Sequence, residues 1–144
     1  MQLPRIVTLF GYAGLLPFLL GPAWLALSPG TAPDWLDTVW VSWCALVAAF
    51  MAGSMWGFSL PACEGSAGRA GLLMSMALML LAWFATALPF RLALGVLALT
   101  YLLLLAADFW RERTLGTVGG YFALRATLTV GVLGAMAWRY SLST

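Results

Sequence analysis

From Ala70 to Ala107 the chain is almost uniformly apolar, and Arg91 is the single charged residue in that run. A hydrocarbon core about 30 Å thick is crossed by about 20 helical residues, so one crossing cannot absorb it. Leu88-Pro89-Phe90-Arg91 brings a proline and a charge together. Proline removes a backbone donor and disfavours a helical conformation in the residue before it. The run therefore divides into two spans, over 70–88 and 91–108. With no water to satisfy them, backbone polar groups in lipid must pair within the segment, so each span reads as a helix.

The remainder of the chain follows the same grammar. Of its 144 residues 63% are hydrophobic and 8% charged, whereas a soluble domain carries about a quarter charged residues. An apolar stretch after Arg5 predicts a first span over 6–27. Ala26-Leu27-Ser28 loosely resembles a signal cleavage site, but Pro29 follows directly and the run is long for a signal peptide. Pro17 and Gly21-Pro22 predict a kink near Leu16 to Gly21. Pro29-Gly30 and Ala32-Pro33-Asp34 make a loop, with Asp34 or Asp37 as a cap for a second span over 39–60, which Pro61 ends. A polar loop from Asp108 to Gly120 precedes a fifth span over 121–138. The expectation is one all-α integral membrane domain over 1–144, a five-transmembrane-helix bundle.

The second span carries Ala45, Ala49, Gly53 and Gly57 at every fourth position. Close helix approach in lipid depends on small side chains, so this ridge predicts a helix–helix contact, with the fifth or first span as partner. Trp56 falls on the ridge face and is expected to point into the bundle. Of the eight tryptophans, Trp24, Trp35, Trp40, Trp110 and Trp138 suit the headgroup level. Trp43, Trp56 and Trp83 sit within spans and are candidates for stacking an apolar ligand.

All seven basic residues are arginines, and five of them (Arg5, Arg69, Arg111, Arg113 and Arg125) fall on one side of the predicted bundle. That bias places the N-terminus in the cytoplasm and the C-terminus outside an inner membrane. A net charge of +2 without a basic run excludes a nucleic-acid partner. The chain has no His, so the usual general base and metal ligand are missing. Cys44 and Cys63 lie nineteen positions apart, about 28 Å along a continuous helix, too far for a disulfide. No metal, cofactor or enzymatic activity is expected. The best polar site is Asp108 with Arg125, joined by Tyr121: antiparallel neighbours should bring the acid and the guanidinium to one depth, where a two-toothed pair can form.

Three stretches carry a family resemblance. Gly11-Tyr12-Ala13-Gly14-Leu15-Leu16-Pro17-Phe18, the run Phe50 to Gly57, and Ala107-Asp108 followed by Tyr121 to Thr129 resemble the signatures of the domain of unknown function thirty-four-twenty-nine family, which includes the mitochondrial transmembrane protein sixty-nine. The similarity extends over nearly the whole chain. It implies an integral membrane protein without a settled activity. Met55 stands where the family often has a His, so a role resting on that His does not carry over; Val118 and Gly120 replace its Pro and Trp. Five spans with many tryptophans also resemble, in architecture alone, the tryptophan-rich sensory proteins. The function expected is interaction: scaffolding another membrane protein or passively binding an apolar small molecule, with the lipid bilayer as the constant partner. The alternatives are a small transporter or permease subunit and a lipid- or quinone-directed enzyme using Glu64 and Asp108.

Overall fold

A computed structural model describes residues 5–115 and 120–142. Its helices are α1 (Arg5–Ala13), α2 (Leu16–Leu27), α3 (Leu36–Ser59), α4 (Ser66–Ala85), α5 (Phe90–Leu115) and α6 (Tyr121–Ser141), with 3-10 turns at Pro29–Thr31 and Leu60–Ala62. With α1 and α2 taken as one interrupted span, five helices among the described residues are long and apolar enough to cross a membrane. The chain is an all-helical five-span bundle.

The break in the first span falls at Gly14 and Leu15, slightly before the kink expected at Leu16 to Gly21. Pro17 has no N–H to offer the carbonyl of Ala13 and its ring crowds that carbonyl, so the helix stops there and restarts with proline in its first turn. Pro22 stays inside α2 and frees the carbonyl of Phe18, four residues back. The indole N–H of Trp40 donates to that oxygen at 2.9 Å. A Cβ on Gly21 would stand 2.7 Å from the same indole, so this glycine admits the ring that satisfies the orphaned carbonyl. Trp40 is thus a buried link between α2 and α3, not a headgroup-level ring as expected.

The other boundaries shift by a few residues, most of them outward. α3 begins at Leu36 and places Asp37 in its first turn, where the helix dipole favours an acid; no side-chain cap forms. α4 covers Ser66–Ala85 in place of 70–88, and α5 runs to Leu115 in place of ending at Asp108. Arg111-Glu112-Arg113 is therefore helical. Arg and Glu are good helix formers, and their polarity does not interrupt a helix that reaches the membrane surface. Of the expected loop over 108–120, residues 116–119 lie outside the described residues. Gly120, at φ 77°, adopts the left-handed backbone conformation that glycine accepts without strain, and it sets the start of α6.

α3, α4 and α5 pack closely on one another. Gly68 and Gly71 of α4 lie against the turn that ends α3: a Cβ on Gly68 would collide with the carbonyl of Ala62, and one on Gly71 with the side chain of Ser59. Tyr101 of α5, fully buried, donates its hydroxyl to the carbonyl of Cys44 at 2.6 Å. α6 packs on α5 and on the first span, which in turn packs on α3. α3 and α6 themselves do not pack closely, and a space remains between them.

The ridge on α3 is a correction. Gly53 and Gly57 face open space, while Ala45 is buried and Ala49 half-buried. Successive helical residues turn by about 100°, so a four-residue repeat drifts by about 40° each step. Over the three steps from Ala45 to Gly57 the repeat turns by about 120°, off the core face and onto the open one. The close helix contact of this end is made by Gly68 and Gly71 instead, with α4 as partner rather than the first or fifth span.

Candidate functional site

α5 and α6 meet as antiparallel neighbours, and their facing side chains assemble a buried polar cluster. Arg125 is one turn inside α6. Its Nε donates to Asp108 Oδ2 at 2.9 Å and its Nη2 to Asp108 Oδ1 at 3.2 Å. Nη2 also donates to the backbone carbonyl of Met51 at 3.0 Å, and Nη1 to the hydroxyl of Tyr121 at 2.9 Å. Asp108 is 1% exposed and Arg125 4%. A buried acid and base survive desolvation when both are paired and their remaining polar atoms are bonded; the fork of Arg125 does this in one plane. The structure thus brings together Asp108, Arg125 and Tyr121, three residues selected from the sequence. It adds a partner that carries no sequence signal, the carbonyl of Met51 on α3.

Arg111 is the other buried cation at this end. Its guanidinium carbon lies 4.4 Å from the ring centre of Phe58 and 5.4 Å from that of Tyr121. Tyr121 is edge-on to Phe58 at 5.0 Å between ring centres. Aromatic faces carry negative potential and attract a cation most strongly when both are desolvated.

Beside the cluster lies a cavity of about 560 Å³ between the first span, α3 and α6. Its walls are apolar, with Phe10, Phe18, Trp43 and Leu128 among the lining side chains, and its polar side chains are those of Ser54, Tyr121 and Arg125. Ser54 donates back to the carbonyl of Phe50 at 3.3 Å. Leu46 and Phe50 stand at the lip and are largely exposed. Volumes of about 300–1,000 Å³ with few polar groups are those of small-molecule sites. Trp43 lines this space and donates weakly to the carbonyl of Gly14 at 3.4 Å. The other two tryptophans considered as ligand contacts are elsewhere: Trp56 is 39% and Trp83 71% exposed, and neither lines the cavity. Trp56 shares its helix face with residues already turning away from the core, so its position in the repeat misleads.

The opposite end of the bundle holds a second ion pair that sequence reasoning missed. Arg139 donates to Asp37 from Nε at 3.0 Å and from Nη2 at 2.7 Å, and its guanidinium lies 4.4 Å from the ring centre of Phe90. The two residues are 102 positions apart, and the signal for them was topological. The first turn of α3 and the last turn of α6 necessarily share one end of a five-span bundle. Among the described residues no group of three His, Cys, Asp or Glu side chains gathers to hold a metal.

Neither a curated protein nor a solved structure matches this chain. The sequence profile of the family described as "Protein of unknown function (DUF3429)" matches residues 3–140. With that match running almost end to end along a five-span bundle, the chain belongs to the DUF3429 family.

Proposed function

We propose that this protein binds an apolar small molecule passively within an inner membrane, in the space enclosed by its first span, α3 and α6. The cavity carries this reading: it is apolar-walled, has the volume of a small-molecule site, and lies beside a polar cluster. The binding is without chemistry. The sequence holds no His, and the acid of the cluster, Asp108, is engaged by Arg125. The hydroxyls of Ser42, Ser54, Ser75, Thr100, Thr127 and Thr129, set within the spans, each donate to a carbonyl of their own helix. That is a poor path for a coupled proton or ion. The five-to-two distribution of arginines supports a cytoplasmic N-terminus and an external C-terminus.

The test is purification in mild detergent followed by mass spectrometry of what stays bound. Wild type is expected to retain an apolar compound enriched over the bulk lipids. Leu128→Trp, which fills the cavity, should lose it, and Val130→Trp, on an exposed position of α6, should keep it. Identical co-purifying material in all three proteins refutes the reading.

A further inference from the structure

We propose that the cavity selects a neutral, flat-ringed molecule bearing a ring carbonyl and an apolar tail, a compound of the quinone class, with the carbonyl held by Tyr121 and Arg125. This rests on the passive-binding reading above and names its ligand. The argument begins with the donors at the polar end. A guanidinium has five N–H groups. Arg125 commits one at Nε, two at Nη2 and one at Nη1 to Asp108, the carbonyl of Met51 and Tyr121. One N–H on Nη1 is left. The Tyr121 hydroxyl accepts from Arg125, so its own hydrogen points elsewhere, and it donates to no described group. Two donors therefore stand on atoms 2.9 Å apart, on two residues that line the cavity. Ser54 adds no further donor, because its hydroxyl is turned back to Phe50. The complement of two adjacent donors is one oxygen with two lone pairs, a carbonyl.

Charge decides against an anionic head. Asp108 already neutralises the guanidinium that lines the cavity, so a carboxylate there would bring a second negative charge to a cation that is already paired. A phosphate would bring three acceptor oxygens to two donors. Shape favours a ring over a chain: the indole of Trp43 and the phenol of Tyr121 give the cavity aromatic walls. The exposed lip at Leu46 and Phe50 lets an apolar tail leave sideways into lipid.

The experiment titrates decylubiquinone into the full chain at fixed detergent and reads tryptophan fluorescence, with Trp43 as the nearest reporter. Saturable quenching is expected, weakened about tenfold in Tyr121→Phe, the loss of one hydrogen bond, and abolished in Leu128→Trp. Melting curves of both variants establish that they are folded, and Leu128→Trp leaves the polar cluster untouched. Dodecylbenzene, which has the ring and tail without carbonyls, should compete at least tenfold less well, and palmitate likewise. If dodecylbenzene competes equally and Tyr121→Phe has no effect, the carbonyl assignment fails while passive apolar binding stands. Stronger competition by palmitate also overturns it, in favour of an anionic head. If no probe saturates, the quinone assignment fails and the cavity reading falls with it.

Discussion

The two sides of this bundle are held together by different means. On one side α3, α4 and α5 approach through small residues, with Gly68 and Gly71 against the end of α3 and Ala48, Ala52, Ala82 and Ala85 fully buried. On the other side α3 and α6 stand apart, and two arginines of α6 reach across: Arg125 to Met51 near one end, Arg139 to Asp37 at the other. Small side chains remove space and give packing that lipid cannot supply. Long side chains with fixed hydrogen bonds hold helices at a distance and leave a cavity between them. In this molecule the side built for closeness is scaffold, and the side built with struts has room for a ligand.

The sharpest way to break that comparison is to cut a strut. Asp108→Asn and Arg125→Gln should each cost about 3–5 kcal/mol, because each leaves a buried partner uncompensated. The double change should cost less than the sum by about 0.5–3 kcal/mol. Melting in detergent, read for both singles and the double, checks this. Strict additivity would mean that the two groups are satisfied separately.

Overpacking the scaffold side comes next. Gly71→Leu should cost about 1–3 kcal/mol or more, since the added atoms meet the Ser59 side chain at a place without slack. Gly11→Ala offers the cavity-side contrast. Its Cβ would meet only side-chain tips, Leu128 at 3.3 Å and Leu124 at 3.6 Å, and flexible side chains beside an empty space can move. A melting shift for Gly11→Ala as large as that for Gly71→Leu would remove the distinction between a tight side and an open one.

Trp40→Phe tests the seam between the two sides. It leaves the carbonyl of Phe18, freed by Pro22, without its donor, which should cost about 1–3 kcal/mol. Pro22→Ala restores an N–H to that carbonyl, so Trp40→Phe should be milder in its background. Equal costs in the two backgrounds would show that the indole contributes by packing alone. The second strut is weaker than the first: Asp37 is 41% exposed at its side chain, and solvent competes for it. Asp37→Asn should lower stability by about 0.2–1 kcal/mol.

How much of this was legible in the sequence follows from the range of each interaction. Proline and charge mark where spans stop, and Leu88 to Arg91 divided the long apolar run at the right place because those effects are local. The pairing of Asp108 with Arg125 was legible because a short connection makes α5 and α6 neighbours and fixes the depth of both side chains. Arg139 with Asp37 was not, because nothing near either residue points to the other; only the closed bundle does. The same holds for Trp40, whose role depends on a carbonyl released by Pro22 on another helix. The continuation of α5 through Arg111 was hidden by its charge, since the rings of Phe58 and Tyr121 that receive it come from α3 and α6.

The smallest expected effect is the most informative about the ridge. Gly53 and Gly57 have nothing within 4 Å of where a Cβ would stand, and Phe50, on the same face, is 76% exposed. Gly53→Leu therefore adds apolar surface to a face that meets lipid, where it displaces no packed atom. It also replaces a glycine inside a helix, which is unfavourable by about 1 kcal/mol relative to alanine. These two contributions leave Gly53→Leu neutral or slightly stabilising, within about 0.5 kcal/mol of wild type. Gly71→Leu makes the same chemical change on the face that does pack, so the pair isolates position from chemistry. Both are read by melting in the same detergent, alongside the mass of the protein–detergent particle. A large loss for Gly53→Leu at unchanged particle mass would mean that α3 turns this face toward its own bundle, and the assignment of the two sides would be wrong. A large loss accompanied by a halved particle mass would instead place a second copy of the chain on this face, and the open side of the bundle would end where that copy begins.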